Sequence, residues 1–377
     1  MGKTLTVMAV GDLVLDEPDP AFFFAPSLTT LRSADVVIGQ IEVPHSTSSE
    51  VTSVDVPAPP ADPANLAAAA SAGITVGTLA GNHIYDCGAQ GISDTIEAAR
   101  AVGIKVTGAG STLDEARVPV VVTESDLRVG VVSYNCVGPR ESWATSAKAG
   151  AAHVKVITHY ELDSANPGGP PSIYTFCEPA SLRSFREDVE RLAGSVDVAI
   201  VALHKGIGHT PAEIAAYEYE LAHAAIDAGA SAVVAHHAHI LRGIEFYRGR
   251  PIFHGLGNFV TVTRALTLDG PNTPEREAWA ARRRKLFGFV PDPAMPTYPF
   301  HPESRNTLIA VLRIDEAGIH ASFIPCWIDD EARPVPLGDD AEGRRVAHYV
   351  EEITRAAGLD TEFTWANGEV AVCGRAA

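Results

Sequence analysis

The sequence predicts an α/β fold, and three observations predict it. Apolar runs of strand length recur through the first 240 residues, helix-like stretches separate them, and most of those stretches close on glycine. Beyond residue 240 the pattern changes to short strands joined by turns.

Taken in order, "LTVMAV" (5–10) opens the chain as a core strand, followed by "DVVIGQIE" (35–42) and "ITVGTLA" (74–80). The strands continue with "RVGVVSY" (128–134), "VDVAIVAL" (196–203) and "SAVVAHH" (231–237). Helical composition fills the gaps at 63–73, 89–103, 181–196 and 215–229. The later strands, "RGIEFY", "RPIFHG", "NTLIAVLRID" and "GIHASFIPCWI", come without helices between them and read as a meander packed on the first sheet as a second sheet. Three stretches read as irregular insertions that shape a substrate pocket or lid: 44–62, rich in Pro, Ser and Thr; 138–180, with "NPGGPP"; and 264–305. The basic run "RRRK" (282–285) in the last of these reads as a solvated helix face.

Composition narrows the function classes. With 377 residues, 46% of them apolar, the chain has enough material for a substantial core. A net charge of −18 leaves no broad basic face for a phosphate backbone, so nucleic acid is excluded as the main partner. Five isolated cysteines without a CxxC indicate neither a disulfide framework nor a thiolate zinc site, and fit a reducing compartment. No apolar run approaches the roughly 20 residues of a membrane helix, and the chain enters its first strand without a leader pattern. The expectation is a cytoplasmic protein with no membrane partner.

The residues at the end of each strand carry the chemistry. Asp12 comes after the first and Glu42 after the second; Asn82, His83 and Asp86 come after the third, in "GNHIYD". His204 ends the fifth, in "HKGIGH", and His236, His237 and His239 end the sixth. Strand after strand ends in an O or N donor, at the edge where open α/β sheets bind ligands. A set of carboxylate, carboxamide and imidazole groups is the ligand inventory of a metal site. Each histidine alone could equally bond a backbone carbonyl; the recurrence is what argues otherwise.

This order resembles the calcineurin-like metallophosphoesterase fold. In finer detail "GDLVL", "GQIEVP", "AGNHIYDCG", "HKG" and "HHAHILRGIEFYRGRPIFHGLGNF" are similar, in order over roughly 5–260, to the blocks of the CapA family, named for a poly-γ-glutamate capsule protein. The resemblance implies one domain over 1–377, a two-layer mixed β-sandwich flanked by helices, with 138–180 and 264–305 as insertions. It also implies one or two divalent cations per chain (Mn, Ca, Mg or Zn) held by Asp12, Glu42, Asn82, His204, His237 and His239. His83 becomes an acid/base group beside them, and His236 a bystander.

The sequence departs from the phosphoesterase pattern at two donors. Val14 stands where a D-x-H histidine would complete the first metal, and "GQIEV" offers only Glu42 where G-D-x-x-D would supply a bridging aspartate. Fewer donors favour one cation completed by water over a close pair clamping phosphate. Among the remaining candidates, Lys205 beside His204 and Arg305 could hold a substrate carboxylate, and Asn258 in "GLGNF" is either a turn residue or a substrate-positioning one. His301, stiffened by Pro299 and Pro302, is a candidate lid-borne catalytic group.

Four functions compete on these residues. Phosphoester hydrolysis is the commonest work of the fold, but lacks donors here. A non-enzymatic capsule-assembly role leaves the retained polar set unexplained. Hydrolysis of a γ-glutamyl or peptide amide suits the context that names the family. The favoured expectation is acid/base chemistry on a peptide-like substrate: epimerisation at the Cα of a C-terminal residue, an activity known in the CapA-like branch of lasso-peptide biosynthesis. His83 with Asp86 on one face, and His301 with Asp12 or Asp16 on the other, would carry the protons.

Overall fold

A computed structural model describes residues 4–52, 58–162, 169, 171–264 and 274–375. Two sheets lie face to face. The larger, ten-stranded sheet runs Thr361–Ala366, Glu369–Gly374, Gly318–Ile328, Asn306–Asp315, Leu5–Leu15, Val36–Ile41, Val76–Thr78, Lys105–Thr107, with Asn258–Val262 paired to Leu5–Leu15 and Pro334–Pro336 to Gly318–Ile328. The six-stranded sheet runs Ile244–Tyr247, Arg250–Phe253, Ala232–His237, Val198–Lys205, Leu127–Asn135, Val120–Glu124.

The alternation of side chains along each strand explains the layering. Leu5, Val7 and Ala9 point between the sheets, where they share one apolar cluster with Ile200 and Ala202; Met8 and Val10 point outward, into a cluster with Phe24, Leu31, Leu66 and Ile92. On the other sheet Ala199, Val201 and Leu203 point outward, under Phe185 of helix Pro179–Ala193 and Leu221 of helix Ala216–Asp227. The strands are therefore buried on both faces and read as nearly unbroken apolar runs. The layers are helix, sheet, sheet, helix, which is the α/β sandwich the sequence predicts.

Two expectations about the carboxyl-terminal third need correction. Its strands do not form a separate second sheet: Ile244–Tyr247 and Arg250–Phe253 extend the six-stranded sheet, whereas Asn306–Asp315 pairs antiparallel with the first strand, Met8 opposite Val311. That pairing covers the open side of Leu5–Leu15, whose backbone groups would otherwise be left as an edge. Nor is the region without helices. Ala341–Ala356 is a helix that buries Val346, Val350 and Ile353 at helical spacing, with the Asp340 carboxylate capping the Gly343 N–H at 2.9 Å. Another helix, Pro274–Phe287, lies within the insertion 264–305, and Arg282, Arg284 and Lys285 of the basic run stand exposed on it. The insertion 138–180 carries a two-stranded hairpin, Val156–Glu161 with Ser172–Cys177. Among the described residues no helix is long and apolar enough to cross a membrane.

The insertion 44–62 is fastened to the body through His45, which is fully buried. Its backbone N–H donates to Thr95 Oγ1 at 2.8 Å, and Nε2 has no partner among the described residues. Burial pushes its pKa down to about 4, against smaller opposing effects of the Val43 carbonyl and Asp62. The folded chain therefore declines a proton that the unfolded chain accepts near pH 6.5. Stability is intact above that pH and falls by about 3 kcal/mol as pH drops from 6.5 to 4. Urea unfolding across this window should show the loss, and His45→Gln should flatten it; an unchanged slope in the variant would refute the assignment.

Candidate metal centre

Parallel pairing brings the polar residues together. Leu5–Leu15, Val36–Ile41 and Val76–Thr78 run parallel in one sheet, and Leu127–Asn135, Val198–Lys205 and Ala232–His237 in the other, so each set presents its carboxyl ends on one edge. Asp12 reaches this edge because the first strand packs tightly on the 255–258 turn, its N–H donating to Gly257 O at 2.9 Å. A Cβ at Gly11 would lie only 2.1 Å from the same oxygen, which explains the glycine. His237 and His239 leave the sheet at positive φ (88° and 54°), a left-handed backbone that non-glycine residues adopt at a cost. The sharp turn aims both imidazoles inward.

The six sequence-predicted ligands form one connected cluster. Single ligand atoms of Glu42, His204 and His237 all lie within 4.8 Å of one another. His204 Nε2 is 2.8 Å from Asn82 Oδ1 and 3.5 Å from Glu42 Oε1, and the His204 and His237 rings are 4.9 Å apart. His237 is followed by His239 at 6.1 Å between ring centres. His239 Nδ1 donates to Asn258 Oδ1 at 2.9 Å and lies 3.2 Å from Asp12 Oδ2, near enough to pair but outside hydrogen-bond geometry.

Electrostatics tests whether these residues suit a cation. Both oxygens of Asp12 and of Glu42, and Nδ1 of His204 and of His237, are buried without a hydrogen-bond partner among the described residues. Burial, with Asp12 and Asp86 nearby, raises the Glu42 carboxyl well above its ordinary range. Burial and the neighbouring imidazoles hold His204 and His237 well below theirs, so both stay neutral with lone pairs available. Orphaned carboxylate oxygens beside neutral imidazoles cost several kcal/mol when left without a partner. A divalent cation would satisfy all of them, so the donor set fits one.

Around this cluster the other candidates take definite places. His83 Nδ1 bonds Asp86 Oδ2 at 2.7 Å, both largely buried. Asn258 is fully buried; besides holding His239 it donates to the Tyr298 hydroxyl at 3.0 Å, so its contacts are with the site's own residues and not with solvent or an open pocket. His236 Nε2 bonds the Val10 carbonyl at 3.1 Å and ties one sheet to the other, while its buried Nδ1 has no partner among the described residues. Lys205 corrects its expectation: it is fully buried, with its ammonium donating to Glu218 at 2.8 Å and lying 3.2 Å from His254 Nδ1, because alternation along the strand turns it away from His204. Its charge is neutralised internally. Arg305 is likewise engaged, with Asp330 at 2.7 Å and the Ile328 carbonyl at 2.8 Å, over the Trp327 ring. His301 caps the short helix Pro302–Arg305, its Nδ1 accepting from the Glu303 N–H at 3.1 Å, while its ring meets Phe289. Asp16 accepts from Thr263 at 2.7 Å, and burial pushes its carboxyl up to about 6.

Sequence reasoning overlooks His209 and Tyr298. His209 stacks on His239 with ring centres 5.7 Å apart, its N–H bonds the Ala238 carbonyl at 2.8 Å, and Phe287, Phe289 and Phe300 surround it. Its signal is present as the second histidine of "HKGIGH". Tyr298, from the third insertion, reaches the centre through Asn258 and through Phe300, which packs on His239, and no local pattern announces that.

Comparison with known proteins places these residues in a wider group. A family model described as bacterial capsule synthesis protein PGA_cap matches residues 6–263, which contain all six candidate ligands. A "Probable polyglutamine synthesis accessory protein" of Mycobacterium tuberculosis is 32% identical over 229 residues, covering 57% of this chain and 51% of that protein. The capsule biosynthesis protein CapA of Bacillus anthracis is 29% identical over 189 residues, covering 50% and 40%. The chain thus spans about half the length, or less, of these curated relatives. Among solved structures, the calcineurin-like phosphoesterase YfkN from Bacillus subtilis aligns over 95% of this chain and 98% of its own, at 12% identity and a TM-score of 0.38.

Proposed function

The chain belongs to the bacterial capsule synthesis protein family, and from that premise we propose that it is a metal-dependent enzyme using His/Asp acid/base catalysis on a peptide-like substrate, epimerising the Cα of a C-terminal residue such as that of a lasso-type ribosomal peptide. The observation that carries this reading is the buried His83–Asp86 pair, 2.7 Å apart, next to a donor set suited to a cation. Asp86 fixes the ring through Nδ1 and leaves Nε2 to take or return a proton. Asp12, Glu42, Asn82, His204, His237 and His239 would hold a cation, which would supply positive charge near a substrate carboxylate as the α-proton leaves. His301, whose Nδ1 is occupied by the Glu303 N–H, keeps Nε2 for a proton on the second face. One proton leaves and one arrives, so no bond of the peptide backbone breaks.

Hydrolysis of a γ-linked or peptide amide is the second reading, favoured by the names of the capsule and polyglutamine relatives. One experiment separates the two. Free-acid peptides and poly-γ-glutamate are incubated in D2O with the protein and Mn, Ca, Mg or Zn in turn. Epimerisation gives one deuteron at the terminal α-carbon, loss of optical purity and an intact chain. New amine ends without inversion establish hydrolysis instead, and inertness with every metal defeats both.

A further inference from the structure

A cleft of about 330 Å³ opens beside the metal centre, lined by Gly138, Arg140, Trp143, Lys155, Thr158 and Thr175 among others. It shares walls with that centre. The Cys136 N–H bonds the His204 carbonyl at 2.9 Å, and Gly138, at φ +73°, sits so close to Asn82 that a Cβ there would lie 2.2 Å from the Asn82 Cβ. Two features of the lining leave polar groups without a hydrogen-bonding partner among the described residues. Neither the Arg140 guanidinium nor the Lys155 ammonium forms an ion pair or hydrogen bond among the described residues; Arg140 lies 5.9 Å over the Trp143 ring, and Lys155 adds only a small share to the lowering of the Glu178 carboxyl that the Ser181 hydrogen bonds produce. The Trp143 indole N–H is buried without an acceptor among the described residues. The residues that line this cleft include two cations and no carboxylate, a local balance that favours anions in a chain of net charge −18.

The hairpin extends this surface. Thr158 lies opposite Thr175, and Tyr160 opposite Ile173, two residues along each strand and hence on the same face of the ribbon. Tyr160 and Ile173 are 61% and 59% exposed, an apolar step beyond the cationic cleft. We propose that the cleft is the binding site for an extended, acidic peptide segment of the substrate, its carboxylates on Arg140 and Lys155 and an apolar side chain on Tyr160 and Ile173, so that the segment leads into the metal centre past Gly138. The proposal rests on the peptide-substrate reading above, but its test is independent of turnover.

Fluorescence anisotropy with a labelled octapeptide of alternating Glu and Leu, and with its Gln counterpart, provides that test on the full chain. The Glu peptide should bind about tenfold tighter, and the Arg140→Gln/Lys155→Gln double variant should remove that advantage while leaving the Gln peptide's affinity unchanged. The Glu peptide's advantage over the Gln peptide should persist in EDTA, which excludes capture of the glutamates by a cation. Tyr160→Ser should weaken both peptides alike. Equal affinity for the two peptides, undiminished binding by the double variant, loss of the Glu peptide's advantage in EDTA, or no binding at all would each overturn the proposal. If peptides bind as expected but gain no deuterium, the cleft stands and the epimerase reading falls.

Discussion

His83→Ala lowers the rate of α-deuterium incorporation by about 10² to 10⁴-fold, the usual loss on removing a positioned acid/base group, while cation content stays at its original level. The expectation follows from place: His83 bonds Asp86, and among the described residues no hydrogen bond joins it to His204 or His237. Asp86→Asn should cost less, since it leaves the ring in place but weakens its preferred orientation. Rates of exchange at saturating peptide, with elemental analysis of each variant, check both. His301→Ala should abolish inversion more severely than it slows exchange, since a single remaining carrier returns the proton to the face it came from. Unaltered exchange in His83→Ala would remove the pair from the chemistry.

Asn258→Ala weakens cation binding by about 10 to 100-fold, although Asn258 is not in the ligand set. Its carbonyl oxygen accepts from His239 Nδ1 at 2.9 Å and so fixes which ring nitrogen is left for a cation. Tyr298, at 3.0 Å from the Asn258 amide, fixes Asn258 in turn. At a free cation concentration of about 100 Kd the folded protein gains about 2.7 kcal/mol, and a tenfold weaker site loses about 1.4 kcal/mol of it. Calorimetric titration with Mn and melting curves with and without chelator measure both quantities. The pH dependence has a defined sign: the raised Glu42 carboxyl must lose its proton to meet a cation, so affinity falls as the solution becomes more acidic. An Asn258→Ala affinity equal to that of the parent chain would show that His239 needs no such support.

Much of the fold is legible locally. The helix Gly88–Ala101 and the strands Asn306–Asp315 and Gly318–Ile328 lie within a residue or two of where composition and punctuation put them, because periodicity and glycine stops are local properties. The helix Ala341–Ala356 carries the same signals, an Asp cap and apolar residues at 346, 350 and 353, but they are easily passed over among the strands around it.

The sequence by itself determined the strand and helix content, the −18 charge and the inventory of donors after each strand, since each depends on residue identity and short spacing. Only the tertiary structure decided which strands share a sheet, for Met8 meets Val311 across some 300 residues and hydrogen-bond partners at that distance leave no local trace. It also decided what each charge is for. Lys205 and His204 are chain neighbours, yet the pleat sends one to Glu218 behind the sheet and the other to the metal centre, and Arg140 and Lys155, unremarkable in sequence, come to line one cleft whose lining includes no carboxylate.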